Sequence, residues 1–286
     1  MAEARPITID YDDGGSVRTV FTLPPTRAPE KPSVYAFSLP KAGSVLLDSM
    51  LSALSVAEGL TYVSIMGQFF EIGLAEKHVP AQTSKAFLDH GYCYGGFRSF
   101  PRHFEIPNLG SCKAILLVRD PRDMIVSHYY STRLSHPDPG RILSTSMKGM
   151  PLREKAQRLT IDEYAIDLTK FYGRLMRGYI DVLEKNPDTF RVYRYEDVIF
   201  RKREWISDIG SYFGWSVPEA KLRRIAAKND ILPRAEKESK HVRQVSPGDH
   251  KRKLEPATIV QLNEALGKEF RYFGYEQGAA VEEYAR

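Results

Sequence analysis

The stretch Tyr35–Leu54, YAFSLPKAGSVLLDSMLSAL, joins a short apolar run to an apolar helical pattern through a turn with one lysine and one glycine. The run Val34–Phe37 predicts a buried strand, and the apolar residues from Val45 onward repeat with helical spacing until Gly59. In an α/β sheet, the loop between a strand and the next helix is where ligands bind. We therefore examine the turn PKAGS as part of a candidate ligand site.

The residue types in this turn suit an anion. A helix N-terminus offers free backbone N–H groups and a partial positive charge. Gly43 lets a ligand approach the backbone closely, Lys41 adds a positive charge, and Ser44 is a candidate N-cap and hydroxyl donor. The ATP- and GTP-binding pattern G-x-x-x-x-G-K-[ST] is absent, which argues against a P-loop kinase. Taken alone, the turn is equally compatible with a purely structural role.

A second strand-to-helix junction lies at AILLVRDPRD. The apolar run Ala114–Val118 predicts another buried strand, and Asp120 and Pro121 suit the N-cap and first position of a helix. Arg119 is then placed at the exit of the strand, on the same sheet edge as the PKAGS turn. It is a second candidate for binding an anion. The alternative is that Arg119 pairs with Asp120 or Asp123 and only stabilises the turn.

The rest of the chain predicts alternating strands and helices. A capping box of Thr160 and Glu163 opens a long amphipathic helix, and Phe190–Asp197 predicts a further strand. This alternation favours a parallel, doubly wound α/β sheet flanked by helices. Ile7–Asp10 and Val17–Leu23 predict an N-terminal β-hairpin that extends the sheet or makes an oligomer contact. We predict a hairpin and proline-rich connector over residues 1–32 and one domain over residues 33–286.

Composition limits the class of protein. The chain has 41 Lys and Arg against 36 Asp and Glu, a net charge of +5 and a pI near 9.0. This surplus is too small to indicate nucleic acid as the main partner, but it suits a compact polyanionic ligand. Cys93 and Cys112 form no metal-type or disulfide pattern, and no apolar run has membrane-spanning length. The sequence therefore predicts a cytoplasmic protein without membrane insertion.

Together, the two junctions resemble the cytosolic sulfotransferase family, which uses 3′-phosphoadenosine 5′-phosphosulfate (PAPS). The resemblance implies a P-loop-NTPase-like sulfotransferase fold and binding of the 5′-phosphosulfate by the residues of the first junction, which are Lys41, Ala42, Gly43, Ser44 and Val45, with Leu46 near the adenine. The second junction matches R-x-P-x-D-x-x-x-S. It implies that Arg119 and Ser127, eight residues apart, bind the 3′-phosphate.

Two further segments are similar to the family. YRYEDV resembles its Y-E-D segment, which implies contact between Tyr195 and the adenine. RQVSPGDHK resembles R-K-G-x-x-G-D-W-K, in which Arg243 would close over the 3′-phosphate and Gly248 would belong to the binding segment. The sequence departs from that pattern at Gln244, Val245 and His250.

The resemblance implies transfer of a sulfuryl group from PAPS to a hydroxyl of a small molecule or carbohydrate, releasing adenosine 3′,5′-bisphosphate (PAP). Such a transfer needs in-line positioning and stabilisation of the charge on the leaving phosphate. Lys41 supplies that charge, and the sequence predicts no metal. The alternatives are a non-catalytic PAPS- or bisphosphate-binding protein and a P-loop-like kinase.

The general base is where the sequence departs most from the family. The family histidine that accepts the proton of the hydroxyl corresponds here to Ser99 or Phe100. His103 is the nearest histidine and the first candidate, Glu71 is a serious rival, and His90 is a weaker one.

The acceptor pocket is expected among aromatic, irregular segments, and half of their apolar residues are expected in the core. The residues concerned are Met66, Phe69, Phe70, Tyr92, Tyr94, Phe97 and Phe100. The Ser-, Pro- and Gly-rich segment Ser135–Pro151 is a candidate lid. A homodimer is compatible with the sequence.

Overall fold

The computed structural model describes residues 6–74, 76–135, 152–231 and 244–275. Its strands, in chain order, are β1 (Thr8–Asp12), β2 (Val17–Thr22), β3 (Val34–Ser38), β4 (Thr61–Val63), β5 (Tyr92–Phe97), β6 (Lys113–Val118) and β7 (Phe190–Arg194). Strands β3 to β7 form one parallel sheet in the order β4-β5-β3-β6-β7. The predicted α/β fold, with a parallel sheet flanked by helices, is confirmed.

The N-terminal hairpin is also confirmed, but it does not extend the main sheet. Within the described residues, strands β1 and β2 pair only with each other, in antiparallel register. Ile9 and Phe21 are buried, and the Phe21 ring lies edge-on to that of Phe69, with 6.4 Å between the centroids. The hairpin is therefore held by apolar contact with the domain. The boundary at residue 32 and the oligomer contact stay predictions.

Helices fill the connections between the strands. They are α1 (Ser44–Ala57), α2 (Ile65–Glu71), α3 (Pro121–Tyr130), α4 (Leu152–Arg158), α5 (Ile161–Lys185), α6 (Tyr195–Val198), α7 (Lys202–Phe213), α8 (Glu219–Lys228), α9 (His250–Lys253), α10 (Pro256–Ala265) and α11 (Gly267–Phe273). Asp120 caps α3 by accepting from the Arg122 N–H, and Thr160 and Glu163 form the predicted capping box of α5. In the part of the chain that is described, no helix is long and apolar enough to cross a membrane.

Two elements differ from the sequence-based expectation. The strand predicted over Phe190–Asp197 ends at Arg194, and Tyr195 begins the short helix α6. Strand β5 lies in the aromatic, glycine-rich region for which the sequence favoured no element, and β4 lies just before that region. All six residues of β5 are buried although two of them are glycines, which weaken the pattern of a strand.

The parallel arrangement decides where the site lies. The carboxyl ends of β3, β5, β6 and β7 meet at one edge of the sheet, because neighbouring parallel strands run in the same direction. The backbone carbonyl of Phe97 accepts a hydrogen bond from Ser38 Oγ at 3.0 Å, which ties the exits of β5 and β3 together. The segments that follow these strands therefore emerge side by side.

Candidate active site

A cleft of about 360 Å³ opens at this edge, on the β6 and β7 side of β3. It brings together eight of the residues expected from the sequence to bind the donor: Lys41, Gly43, Ser44, Val45, Leu46, Arg119, Ser127 and Tyr195. Sequence reasoning missed seven other lining residues: Ser49, Ile199, Lys202, Asn229, Ile231, Gln244 and Val245. Five of them belong to no family motif, and Gln244 and Val245 are positions at which the sequence departs from the family pattern.

Two predicted residues among those that the structure describes do not line the cleft. Ala42, the middle residue of the PKAGS turn, is fully buried. Gly248 lies behind the cleft, where its N–H donates to the carboxylate of Asp123. Arg243 falls outside the described residues.

The PKAGS turn leaves the start of α1 open to a ligand. Gly43 is the N-cap, with a φ of 91°, and no side chain caps the helix, so the prediction of Ser44 as N-cap is wrong. A Cβ at Gly43 would lie 3.0 Å from two ring carbons of Tyr195. Glycine is thus required both by the left-handed backbone and by the packing of the tyrosine ring. The free N–H groups of the first turn of α1 suit an anion.

Lys41 is the second residue of the PKAGS turn, and its side chain extends to the residue that follows α3. Its Nζ donates to Ser131 Oγ, 2.5 Å away, just beyond the C-terminus of α3. Burial lowers the pKa of the Lys41 ammonium to about 8, and the positive charge of Arg98 adds to this effect. The lysine is therefore a cation at neutral pH that readily loses its proton in mildly alkaline solution.

Arg119 leaves β6 almost fully buried, with 6% of its surface exposed. Its Nη1 donates to the Lys41 carbonyl at 3.2 Å, its Nη2 lies 3.7 Å from Asp123 Oδ2, and its guanidinium covers the Tyr195 ring at 4.4 Å from the centroid. The alternative pairing with Asp123 is therefore present. Even with this pairing, the buried Arg119 Nε has no hydrogen-bond partner among the described residues.

A second unpartnered donor lines the same cleft. Gln244 Nε2 is buried and has no hydrogen-bond partner among the described residues. A buried donor without a partner costs about 1–3 kcal/mol. Two such donors beside an open helix N-terminus fit a ligand that brings acceptor oxygens, as a phosphorylated nucleotide does.

Asp123 connects α3 to the segment that closes the cleft. Its oxygens accept from the N–H groups of Gly248 and His250, at 2.7 and 3.0 Å, and His250 Nδ1 lies 2.7 Å from Oδ1. Burial by itself would raise the pKa of Asp123. The hydrogen bond from His250 and the charge of Arg119 outweigh it and hold the pKa below its usual range. The ionised Asp123 thus fastens residues 244–250 beside Arg119.

Replacing Asp123 with asparagine is expected to destabilise the protein by about 3 kcal/mol, since one partner of a buried charge network is lost. Because the native pKa is lowered, the stabilisation is present above the ordinary carboxyl pKa of about 4 and is lost as the pH falls below it. Thermal unfolding of wild type, Asp123→Asn and the exposed control Asp181→Asn at neutral and acidic pH tests this. The gap in Tm between wild type and Asp123→Asn should shrink in acid, and a constant gap would contradict the argument.

On the other side of β3 lies a set of polar residues that the sequence did not bring together. This β5-side cluster consists of Asp48, Tyr62, Glu76, Arg98 and Ser99. Asp48 accepts from Arg98 Nη2 at 2.6 Å and from the Tyr62 hydroxyl at 2.8 Å. Ser99 Oγ donates to Glu76 Oε2 at 2.5 Å. The hydrogen bonds of this cluster join residues that are 14 to 50 positions apart in the sequence, so no local pattern could have indicated it.

The three residues predicted as the general base lie apart from the cleft. His103 is exposed in the loop after β5, and Glu71 is exposed at the C-terminal end of α2. His90 is exposed just before β5, near the opposite edge of the sheet. None of the three lines the cleft.

The predicted acceptor pocket is largely core. Phe69, Tyr92, Tyr94 and Phe97 are buried to within 3% exposure, while Met66 and Phe100 are partly buried and pack against them. Phe70 is 48% exposed. The candidate lid lies outside the described residues apart from its first residue, Ser135.

Comparison with known structures agrees with the fold. Mouse sulfotransferase SULT7A1, solved in complex with PAP, matches with a TM-score of 0.58 and 16% identity, over 85% of both chains. Retinol dehydratase matches in a complex with androsterone and the inactive cofactor PAP (TM-score 0.54, 14% identity) and in one with retinol and PAP (0.53, 13%), each over 85% of this chain and 82% of that chain. At such identities, these likenesses establish the fold alone.

Within the described residues, no group of three or more His, Cys, Asp or Glu side chains is arranged to hold a metal ion. No curated protein sequence matches the chain significantly. The model of one protein family, the sulfotransferase domain, matches residues 32–274. That match spans the PKAGS turn, the Arg119 junction and the segment held by Asp123, and the chain therefore belongs to the sulfotransferase family.

Proposed function

We propose that this sulfotransferase takes its sulfuryl group from PAPS, transfers it to a hydroxyl of a small-molecule acceptor, and releases PAP. The observation that carries the proposal is the buried Nε of Arg119, a cleft residue, which has no hydrogen-bond partner among the described residues. A 3′-phosphate supplies acceptor oxygens at that place. A nucleotide with a 3′-hydroxyl would leave Arg119 Nε without a charged partner.

The remaining lining residues suit the rest of the donor. The open N-terminus of α1 and the Lys41 ammonium are placed to bind the 5′-phosphosulfate. Ser127, on α3, faces the same cleft as Arg119 and adds a hydroxyl for the 3′-phosphate. The Tyr195 ring and the apolar side chain of Leu46 offer flat or apolar contact to a base. These roles follow the family resemblance residue by residue.

The chemistry asked of Lys41 is electrostatic. During transfer, negative charge grows on the oxygen that joins sulfur to the departing phosphate. A preorganised cation at that oxygen lowers the barrier without costing reorganisation at the moment of reaction. The contact with Ser131 keeps the ammonium near this place in the absence of donor.

The acceptor is proposed from the fold relatives. The retinol dehydratase complexes contain androsterone and retinol, both apolar molecules with a hydroxyl. We therefore favour an apolar alcohol or phenol over a carbohydrate. The aromatic residues around β5 are mainly core, and the exposed Phe70 and partly buried Met66 and Phe100 remain for such an acceptor.

Calorimetric titration of PAP into the protein, in EDTA and beside AMP, tests donor recognition. We expect tight binding of PAP and at least about 100-fold weaker binding of AMP, because charge-assisted contacts to a phosphate contribute about 1.5–3 kcal/mol each. Transfer of label from ³⁵S-PAPS to a panel of phenols, sterols, retinoids and sugars then identifies the acceptor. Equal affinity for PAP and AMP would overturn the proposed donor.

The same experiment separates the two alternatives. A binding protein without activity would bind PAP tightly and transfer label to no member of the panel. A kinase would require Mg²⁺ and ATP, so EDTA would abolish its activity. Transfer of label in EDTA excludes both.

A further inference from the structure

We propose that Glu76 is the general base of the transfer and that Ser99 is the positioning residue that orients it. The proposal rests on the function proposed above, since it concerns the removal of the proton from the acceptor hydroxyl. It assigns the proton transfer to residues other than His103, Glu71 and His90, all three of which are exposed, whereas Glu76 is half-buried.

The order of the strands places Glu76 on the acceptor side of the reaction centre. The nucleotide cleft lies where β6 and β7 end, on one side of β3. Strand β5 is the other neighbour of β3, and Ser99 follows it by two residues. Because Lys41 follows β3, between these two sides, the Ser99–Glu76 pair lies across the phosphosulfate turn from the nucleotide. An in-line displacement needs the acceptor on that side.

Electrostatic contacts agree with this placement. The Tyr179 hydroxyl donates to the carbonyl of Ser38, the last residue of β3, at 3.3 Å. Burial raises the pKa of Tyr179, the charge of Glu76 adds to this effect, and the charge of Arg98 opposes it. Arg98 also acts on Lys41. Ser99, the residue after Arg98, donates to Glu76, so this carboxylate lies beside the segment that leaves β5.

The two carboxylates of the β5-side cluster differ in the number of groups that bind them. Asp48 is held by Arg98, by the Tyr62 hydroxyl and by the N–H of Gly96, so both of its oxygens are occupied and its charge is paired. Glu76 receives one hydrogen bond, from Ser99 to Oε2. Among the described residues, no donor contacts its Oε1, and the side chain is half-buried. Glu76 is therefore an oriented carboxylate with one oxygen open to a hydroxyl, which Asp48 is not.

The proposed step is balanced as follows. The acceptor oxygen forms a bond to sulfur while the bond between sulfur and the bridging phosphate oxygen breaks. The electron pair of the broken bond stays on the leaving phosphate, near Lys41. The proton of the acceptor hydroxyl goes to Glu76 Oε1, and the neutral glutamic acid returns it to water after product release. The step consumes no oxidant, reductant or metal.

Glu76→Gln tests the proposal, with the exposed Glu105→Gln as matched control and Glu71→Gln as the rival. With an acceptor that stays un-ionised, we expect Glu76→Gln to lower kcat about 10²–10⁴-fold, the range for a lost general base. Affinity for PAP should remain, because Glu76 lies outside the nucleotide cleft. Ser99→Ala should lower kcat less, about tenfold, and Ser99→Thr should restore it, since threonine keeps the hydroxyl.

Comparison of two phenols separates base catalysis from a structural defect. A nitrophenol that is already ionised at neutral pH needs no base, so Glu76→Gln should slow its sulfation far less than that of unsubstituted phenol. An equal loss for both phenols, an unchanged kcat, or the same loss in Glu71→Gln would overturn the assignment. Failure of the proposed function looks different, because wild type would then neither bind PAP nor transfer label.

Discussion

Replacing Lys41 with alanine is expected to lower kcat about 10³-fold, with a much smaller change in affinity for PAP. Removal of one preorganised group that stabilises developing charge typically costs about 10²–10³ in kcat, and a charged group in a cleft lies at the upper end. PAP lacks the sulfuryl group, so the charge that Lys41 stabilises during transfer is absent from it. Label transfer and calorimetry on wild type, Lys41→Ala and the exposed control Lys185→Ala measure both quantities. A similar loss of PAP binding and of kcat would contradict this role.

The pH dependence gives the same residue a second signature. Because burial and Arg98 lower the pKa of Lys41 to about 8, the ammonium is present below that pH and is lost above it. With an alcohol acceptor, kcat/KM should therefore fall as the pH rises through about 8. Arg98→Ala removes the repelling charge and should move this fall to higher pH. In Lys41→Arg the fall should vanish, because a guanidinium keeps its proton; its persistence would assign it to another group.

Replacing Arg119 with alanine is expected to weaken PAP binding about 10²–10³-fold. Two charge-assisted hydrogen bonds to a phosphate, each at the lower end of the usual range, contribute about 3–4 kcal/mol together, which corresponds to that factor. Binding of AMP, which has no 3′-phosphate, should change little. Arg119→Lys should be intermediate, because an ammonium keeps the charge but not the planar fork.

The internal contacts of Arg119 require a control for folding. The side chain also holds the Lys41 carbonyl, Asp123 and the Tyr195 ring, so its loss could disturb the cleft as a whole. Retained AMP binding and a Tm near that of wild type would show that the cleft is intact. If Arg119→Ala lost AMP and PAP to the same degree, recognition of the 3′-phosphate would have to be assigned elsewhere.

The sequence alone determined the elements that depend on neighbouring residues. The strand at Val34, the helix α1, the cap at Asp120 and the capping box of α5 all appeared as expected. These features follow from apolar spacing and from side chains that bond to the backbone within three residues. Because parallel strands share an exit edge, the sequence also placed Lys41 and Arg119 together, and both line one cleft.

The tertiary structure alone decided the features that depend on distant residues. Strand β5 is buried on both faces, with glycines where a strand pattern expects side chains, so aromatic residues predicted for a pocket became core. Ser99 meets Glu76 across 23 residues, and Arg98 meets Asp48 across 50. The lowered pKa of Lys41 likewise arises from burial and from the charge of Arg98, which directly follows strand β5. No local period encodes such contacts, because hydrogen bonding and electrostatics act on distances in space that only the folded chain establishes.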